Sequence, residues 1–235
     1  MLPSAMAVAR NMAEALFSQP MHGRPYLVGV AGGSGSGKTT LVRALRNMLP
    51  PGSTCIVSQD DYYLPMDKQV ADSNGHVNFD LPGALDLDLL ADDLRCLASG
   101  ETIYRKEYAF EQPGVQERWM EVRPAPVILV EGLFLLGHEV LRGLFDLKVF
   151  VEASEAVQLE RRIRRDARER SYNREQVLYK WEHHVMPAYR AHLWPYRHLC
   201  DLHVMNETQH DRALSVLGDH LMRQAGVAEM AGQPA

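Results

Sequence analysis

The sequence has few cysteines and no long apolar segment. Its three cysteines, Cys55, Cys96 and Cys200, are odd in number and widely spaced, so they offer neither a disulfide framework nor the spacing of a zinc site. No apolar run approaches the ~18 residues that a membrane span requires. The N-terminus lacks a basic start followed by an apolar core and a cleavage site. We therefore expect a cytoplasmic protein with no signal peptide and no membrane partner.

An excess of positive charge is also missing. The formal net charge of the 235 residues is -5 at pH 7, which argues against a general polyanion binder, so we expect no nucleic-acid partner. With 46% apolar residues, the chain can bury one substantial core, with or without a small appendage. We expect a helical extension at residues 1–24, one domain at residues 25–223 and a tail at residues 224–235.

A glycine-rich segment, GGSGSGKTT at residues 32–40, directly follows an apolar run at residues 26–31 and directly precedes a helical pattern. It completes the pattern GxxxxGK[ST] of a P-loop, in which backbone N–H groups and the N-terminus of a helix surround phosphate oxygens. A turn that merely connects a strand to a helix is the alternative, but such a turn needs neither the lysine nor the hydroxyl. The sequence therefore predicts a site for a nucleoside triphosphate.

The predicted roles differ along this loop. Lys38 places a cation at the β- and γ-phosphates, and the Thr39 hydroxyl is placed to ligate Mg²⁺. The expected ATP-binding residues are Gly32, Gly33, Ser34, Gly35, Ser36, Gly37, Lys38, Thr39 and Thr40. ATP and Mg²⁺ are accordingly the expected cofactors.

Acidic residues follow two further predicted strands. Asp60 and Asp61 follow the run at residues 54–58, and Glu131 follows the most continuously apolar run, at residues 126–130. In open α/β sheets, ligands bind at the carboxyl ends of the strands. A carboxylate there can accept a proton from an attacking hydroxyl or help to hold the metal. A capping aspartate is the alternative for the first pair, but beside a P-loop the acidic residues favour phosphoryl transfer.

The alternation of apolar runs and helical patterns predicts an α/β fold of the P-loop NTPase type. Further strands are predicted at residues 146–151 and 201–205, and further helices at residues 85–98 and 213–222. Together they give a three-layer fold with a five-stranded, mostly parallel sheet and helices on both faces. Short β-type runs within residues 101–124 indicate a small β-hairpin subdomain.

Aromatic residues accompany this hairpin. Tyr108 and Phe110 lie in the loop between its β-type runs. They could form a wall for a flat base or a sugar. An ordinary hairpin core explains them about as well, so this stretch alone identifies no ligand.

Seven arginines lie between residues 160 and 174 of an otherwise acidic chain. Helical spacing places Arg161, Arg165 and Arg168 on one face. Guanidinium groups suit the charge that spreads over phosphoryl oxygens, so we expect residues 155–180 to form a helical lid that excludes water. A solvated helix laced with ion pairs and an RNA-binding patch are the alternatives.

The order of these motifs resembles the uridine kinase family, in the phosphoribulokinase group of P-loop kinases. After the P-loop come SQDDYY, NFDLPGALD, VEGLF, RRIRRDARER and VMPAYRAHLWPY, so the resemblance spans residues 26–222. It implies that residues 25–223 are a P-loop kinase domain that phosphorylates the 5′-hydroxyl of a nucleoside with ATP. Uridine or cytidine, in pyrimidine salvage, is the implied acceptor, and a homo-oligomer, dimer or tetramer, is the implied assembly.

The resemblance also implies roles for individual residues. Asp60 corresponds to the base that takes the proton from the ribose 5′-hydroxyl, and Asp80 to the aspartate that grips the ribose hydroxyls. The implied catalytic residues are Lys38, Asp60, Arg165 and Arg170. The implied metal-side residues are Thr39, Asp60 and Glu131. The implied substrate-binding residues are Tyr63, Phe79, Asp80, Tyr108, Phe110 and Arg162.

Three positions depart from the family pattern. Uridine-specific members carry a histidine that contacts the base, whereas this chain has Pro113 at that position. The lid of the family ends in glycine-arginine, and here the corresponding residues are Ser171-Tyr172. A glutamine that supports base recognition in the family corresponds to Lys180 here. Losing groups that hydrogen-bond the base should weaken discrimination roughly 10- to 1,000-fold, or redirect it. Kinases for nicotinamide riboside, ribulose 5-phosphate or pantothenate, and a nucleotide-binding regulatory module, therefore remain alternatives.

Four histidines, His183, His184, His192 and His198, lie on a helical stretch interrupted by proline. Without a closing set of ligands they do not indicate a metal site. We expect them to pack in the fold or to lie at its surface.

Overall fold

A computed structural model describes residues 23–108, 118–207 and 211–226. The predicted helical extension lies outside these ranges, except for Gly23 and Arg24, and so does the predicted tail after Gly226. Phe110 and Pro113 also lie outside them.

Seven strands and a set of helices make up the described chain. The strands are β1 (Tyr26–Gly32), β2 (Thr54–Ser58), β3 (Ile103–Lys106), β4 (Trp119–Val122), β5 (Val127–Gly132), β6 (Leu147–Glu152) and β7 (Leu202–Met205). The helices are α1 (Lys38–Met48), α2 (Leu87–Ala98), α3 (Glu139–Leu144), α4 (Glu155–Glu169), α5 (Arg174–Lys180), α6 (Met186–Ala188) and α7 (Asp211–Gln224).

Five strands form one sheet in the order β2-β5-β1-β6-β7, and each neighbouring pair is parallel. The central strands β1 and β5 are buried along their whole length, which explains why their sequences are continuously apolar rather than alternating. Because all five strands run the same way, their carboxyl ends meet at one edge of the sheet. The predicted five-stranded sheet is confirmed.

Helices cover both faces of this sheet. Leu27, Ile128 and Val130 point to one face, where they pack with the buried residues of α2 and α3. Val28 and Leu129 point to the other face, where they pack with α1 and α7. Since successive residues of a strand face opposite sides, the same apolar runs supply both cores, and the predicted three-layer α/β architecture is confirmed.

The start of α2 differs from its prediction. The helix begins at Leu87 rather than Leu85, because the Asp86 carboxylate caps it by accepting a 2.9 Å hydrogen bond from the N–H of Leu89. Leu85 stays extended and forms an isolated β-bridge with Tyr63. Leu89, in the first turn of the helix, is 46% exposed, whereas Leu90, Leu94 and Leu97 are buried.

The predicted β-hairpin is present as the antiparallel pair β3–β4. Its inward-facing residue Arg105 lies 2.6 Å from the carboxylate of Asp93 in α2 and stacks over the ring of Tyr62. These contacts attach the hairpin to the segment that follows β2. The hairpin therefore stands beside the carboxyl edge of the sheet.

A long helical region connects β6 to β7. After α5 the chain continues through wider, π-type turns at Trp181–Val185 and Tyr189–Leu193, on either side of α6, and a 3₁₀ turn at Trp194–Leu199. The Tyr189 ring comes close to the P-loop glycine Gly33. No helix in the described part of the chain is both long and apolar enough to cross a membrane.

Candidate active site

The loop between β1 and α1 has the backbone that its glycines predict. Gly37 has φ 96°, in the left-handed region, and a Cβ there would lie 2.0 Å from the amide nitrogen of Asn206. A side chain is therefore excluded by both conformation and space. Lys38 is buried at the start of α1, and its Nζ donates a 3.1 Å hydrogen bond to the carbonyl of Gly33.

Residues far away in sequence support this loop. Asn206, directly after β7, donates to the carbonyl of Ser36 at 2.8 Å. Arg161 of α4 donates to the carbonyls of Gly35 and Ser36 and, at 2.9 Å, to that of Asn206. Gln158 packs against Gly35, and a Cβ at position 35 would lie 2.4 Å from the carbonyl oxygen of Gln158. Sequence reasoning did not find Asn206 or Gln158, because no local pattern indicates a contact over more than 100 residues.

Thr39 and Glu131, which were both predicted on the metal side, are in contact. The Thr39 hydroxyl donates a 2.8 Å hydrogen bond to Glu131 Oε1, and Asp60 lines the same cleft. Within the described ranges, no group of three or more His, Cys, Asp or Glu side chains could hold a metal ion on its own. One hydroxyl and two carboxylates, from Thr39, Glu131 and Asp60, suit Mg²⁺, because this ion takes few protein ligands and completes its coordination shell with phosphate oxygens and water.

Two clefts meet at the carboxyl edge of the sheet. The first, here called the P-loop cleft, includes Gly37, Thr40, Arg43 and Arg161 in its lining. The second, here called the aromatic cleft, includes Tyr63, Phe79, Asp80 and Arg162 in its lining. Six residues line both clefts: Lys38, Thr39, Asp60, Glu131, Arg165 and Arg170. The structure thus brings together, on one shared wall, all the residues predicted as catalytic or metal-side.

Asp60 and Lys38 perturb each other on this wall. Asp60 is exposed to the cleft, yet desolvation by the surrounding protein raises its pKa, and the nearby Glu131 carboxylate raises it further. The positive charges of Lys38, Arg170 and Arg165 act in the opposite direction and lower this pKa. Burial lowers the pKa of Lys38, and Glu131 and Asp60 oppose this. Such perturbed groups in a cleft are typical of sites that move protons or charge.

Asp61 lines neither of the two clefts. It is half-buried, accepts a hydrogen bond from the backbone of Tyr108, and burial raises its pKa to about 6. The sequence offered Asp60 and Asp61 as one acidic pair. The structure separates them, and only Asp60 reaches the shared wall.

Three predicted aromatic residues touch one another. The ring centroids of Tyr63 and Phe79 are 5.6 Å apart with the planes at 86°, and those of Tyr63 and Tyr108 are 5.1 Å apart. Tyr63 and Phe79 line the aromatic cleft, whereas Tyr108 lines the P-loop cleft. These edge-to-face and tilted contacts make a wall that can hold a flat ring.

Asp166 organises the arginines of α4. It is fully buried and lies 3.2 Å from Arg162, 2.8 Å from Arg165 and 4.0 Å from Arg170. Arg162 in turn donates to the Ser34 hydroxyl at 2.9 Å and lies 3.6 Å from Asp80. Arg162 and Asp166 have the i,i+4 spacing of a helical ion pair, but no sequence pattern indicates that one carboxylate serves three arginines.

The outer face of α4 is a solvated one. Arg164 pairs with Glu160, and both side chains are well exposed and line neither cleft. The ion-paired, solvated helix that was the alternative to a lid therefore describes this face. Arg161, Arg165 and Arg168, predicted on one face, all line the P-loop cleft, and Arg168 pairs with Glu169 at 2.5 Å there.

Two residues that depart from the family pattern meet at the aromatic cleft. Lys180 donates a 2.9 Å hydrogen bond to the Tyr172 hydroxyl, and its Nζ lies 4.3 Å from the centroid of the Tyr172 ring. Lys180 and the buried His184 both line the cleft. Sequence reasoning placed His184 among packing or surface histidines and missed its position at this site.

Comparisons with known proteins agree with this geometry. Residues 27–212 match the family model described as Phosphoribulokinase / Uridine kinase family. The uridine kinases of Lactiplantibacillus plantarum and Deinococcus deserti are each 35% identical over 196 residues; these cover 83% of this chain, and 94% and 95% of those proteins. The solved phosphoribulokinase of Rhodobacter spheroides has the same fold, with a TM-score of 0.57 and 21% identity over 77% of this chain and 70% of that one.

Proposed function

The chain belongs to the phosphoribulokinase / uridine kinase family of P-loop kinases, and from that premise we propose that it transfers the γ-phosphate of ATP to the 5′-hydroxyl of a nucleoside, uridine or cytidine. The observation that carries the proposal is the wall shared by the two clefts. A phosphate donor in one cleft and an acceptor in the other would meet at the same six side chains. In-line transfer requires this arrangement.

Asp60 is the base of the proposed reaction. Its carboxylate lines both clefts, so it can accept the proton of a hydroxyl that enters from the aromatic cleft and attacks a phosphate in the P-loop cleft. A raised pKa makes the carboxylate a better proton acceptor than an ordinary aspartate. The transferred proton then resides on Asp60 until the product leaves.

The cations on the shared wall stabilise the charge that spreads over the phosphoryl oxygens. Lys38, Arg165 and Arg170 all reach this wall, and Asp166 holds the two arginines in place. Thr39, Glu131 and Asp60 would hold Mg²⁺, which neutralises phosphate charge and orients the transferred group when it is bound.

The aromatic cleft is the proposed nucleoside site. Tyr63 and Phe79 offer faces and edges to a flat base, while Asp80, buried beside Arg162, offers a carboxylate to ribose hydroxyls. A nucleotide-binding regulatory module needs no second cleft with such a carboxylate. This cleft therefore favours a kinase over a module that only binds a nucleotide.

Lys180 supports a second candidate acceptor. It adds a cation to a cleft that already contains Arg162, Arg165 and Arg170. An anionic acceptor such as ribulose 5-phosphate or pantothenate would pair with such cations. The neutral nucleoside stays the first candidate because the carboxylate and the aromatic edges lie at the same cleft.

A coupled ADP-release assay with Mg·ATP tests the proposal. The acceptor panel is uridine, cytidine, adenosine, nicotinamide riboside, ribulose 5-phosphate and pantothenate. We expect turnover above basal hydrolysis with uridine or cytidine. Turnover with only an anionic acceptor would support the second candidate, and no stimulation by any of them would favour the regulatory module. The homo-oligomer, the cytoplasmic location and the division of the chain into extension, domain and tail stay predictions.

A further inference from the structure

His184 carries a buried nitrogen that the reaction above does not use. The residue lies in the π-type turn at Trp181–Val185, is 2% exposed and lines the aromatic cleft. Its ring Nε2 lies 2.7 Å from Oδ2 of Asp72. Its other ring nitrogen, Nδ1, is buried and has no hydrogen-bond partner among the described residues.

The partners of Asp72 decide which ring nitrogen carries the proton. Asp72 also accepts hydrogen bonds from the Tyr179 hydroxyl at 2.8 Å and from the backbone N–H groups of Asn74 and His76, each at 2.9 Å. Although desolvation opposes it, these bonds and the one from His184 lower the pKa of Asp72. An ionised carboxylate only accepts hydrogen bonds, so Nε2 of His184 is the donor. In the neutral imidazole, Nδ1 then presents a lone pair.

A buried polar atom without a partner is uncommon in folded proteins and calls for a specific explanation. Packing alone does not provide one here, since His184 lines a cleft that Asp80, Phe79 and Lys180 also line. Asp72 holds the ring through Nε2, so Nδ1 is the ring nitrogen that remains for a group of a bound ligand. A bound ligand with an O–H or N–H group would satisfy it.

We propose that Nδ1 of His184 accepts a hydrogen bond from an O–H or N–H group of the acceptor nucleoside, which makes His184 a specificity-determining residue. The inference rests on the proposed function, because it takes the aromatic cleft as the acceptor site. Asp72 is the positioning residue that fixes the tautomer and the ring orientation. His184 thereby contributes a neutral hydrogen-bond acceptor from the π-type turn at Trp181–Val185, in addition to the carboxylate of Asp80.

The variant His184→Gln tests the inference. Its amide can occupy the place of Nε2 and still donate to Asp72, but it offers no group in the place of Nδ1. We expect the KM for the nucleoside to rise roughly 10- to 100-fold, with the KM for ATP and kcat within about 2-fold of wild type. His184→Asn, whose amide lies near the place of Nδ1, should have a KM closer to wild type. His183→Gln alters the exposed neighbouring histidine, which lines neither cleft, and should leave the nucleoside KM unchanged.

Analogues of the acceptor identify the group that His184 reads. 2′-Deoxyuridine, 3′-deoxyuridine and 3-methyluridine each lack one donor of uridine. With the wild-type enzyme, we expect one analogue to have a higher KM than uridine. With His184→Gln, that analogue and uridine should have the same KM, because the variant no longer has the acceptor that the missing donor would contact. If every analogue loses the same factor in both proteins, the inference is wrong.

The outcomes separate this inference from the proposed function. A wild-type enzyme that turns over nucleosides, with an unchanged nucleoside KM in a folded His184→Gln variant, overturns the inference alone. If the wild-type enzyme does not phosphorylate nucleosides, the proposed function is wrong, and the nucleoside contact of His184 is wrong with it. If thermal melting shows that His184→Gln does not fold, Asp72→Asn decides, because its amide can donate to Nε2 and no longer fixes the proton on that nitrogen. A raised nucleoside KM with lost analogue discrimination supports the contact, and a wild-type nucleoside KM with wild-type discrimination overturns it.

Discussion

The Thr39 hydroxyl lies 2.8 Å from Glu131 Oε1 and donates a hydrogen bond to it. Thr39 stands in the first turn of α1, and Glu131 stands near the end of β5, opposite Val30 of β1 in the parallel register. The contact therefore joins the P-loop helix to the neighbouring strand end. Together they offer a hydroxyl and a carboxylate, oxygen ligands of the kind that Mg²⁺ takes.

The first prediction concerns Mg²⁺. Glu131→Gln keeps the shape of the side chain but removes its charge, so the Mg²⁺ concentration that gives half-maximal activity should rise roughly 10-fold or more. A Mg²⁺ titration at saturating ATP measures it. Glu139→Gln, an exposed carboxylate in α3, is the matched control and should behave as wild type. An unchanged Mg²⁺ requirement in Glu131→Gln would remove Glu131 from the metal side.

The second prediction concerns the base. Asp60→Asn should lower kcat by roughly 10²- to 10⁴-fold and leave ATP binding in place, because the amide cannot accept the proton. Asp61→Asn is the matched control, since Asp61 lies outside both clefts, and it should keep most of its turnover. Steady-state kinetics and titration of ATP binding measure the two effects. Equal losses in the two variants would contradict the assignment of Asp60.

The same variant should affect stability in the opposite direction. The pKa of Asp60 is raised in the folded protein above its ordinary value of 3.8, so the folded state binds this proton more tightly than the unfolded state. Stability from this group is therefore present at low pH and is lost as pH rises through the raised pKa. At neutral pH, Asp60→Asn should melt at the same temperature as wild type or higher, and a lower melting temperature would contradict this.

The pH profile of activity gives a further prediction. Asp60 must be ionised to accept the proton, so kcat/KM should fall at acid pH with a midpoint above 3.8. Arg165 lowers the pKa of Asp60; hence Arg165→Gln should lower kcat roughly 10²-fold and move this midpoint to higher pH. Arg164→Gln alters a well-exposed arginine that pairs with Glu160 and should change neither. A midpoint that does not move in Arg165→Gln would separate Arg165 from Asp60.

Asp80 provides a prediction about the acceptor. Asp80→Asn should reduce kcat/KM for the nucleoside roughly 10- to 100-fold, with little change in the KM for ATP. The reason is that Asp80 lines the aromatic cleft but not the P-loop cleft. Arg162 retains Asp166 as a partner in this variant, so we expect it to fold. Asp67→Asn, at an exposed turn, is the control. An equal loss for ATP and nucleoside would argue for a structural role.

The parts of the protein that the sequence predicted depend on local patterns. The P-loop is nine consecutive residues, and the acidic residues Asp60 and Glu131 follow apolar runs directly, so their shared edge follows from the parallel sheet. The five-stranded sheet was predictable for the same reason, since buried parallel strands are continuously apolar.

The parts that it did not predict depend on long-range contacts. Asn206 supports a carbonyl 170 residues away in sequence, and His184 pairs with Asp72 over 112 residues. Nothing in the neighbourhood of either residue indicates its partner. Asp166 was visible only as a helical neighbour of Arg162, whereas its grip on Arg165 and Arg170 depends on burial in the folded protein.

One measurement tests the central claim most directly: ADP release from Mg·ATP with uridine and cytidine, compared with their 5′-deoxy analogues, and with ³¹P NMR of the product. The account predicts ADP release above basal hydrolysis with the nucleosides, a 5′-phosphate as product and no stimulation by the analogues, which lack the attacking hydroxyl. ADP release that is the same with and without nucleoside, or a phosphate attached elsewhere, would contradict it.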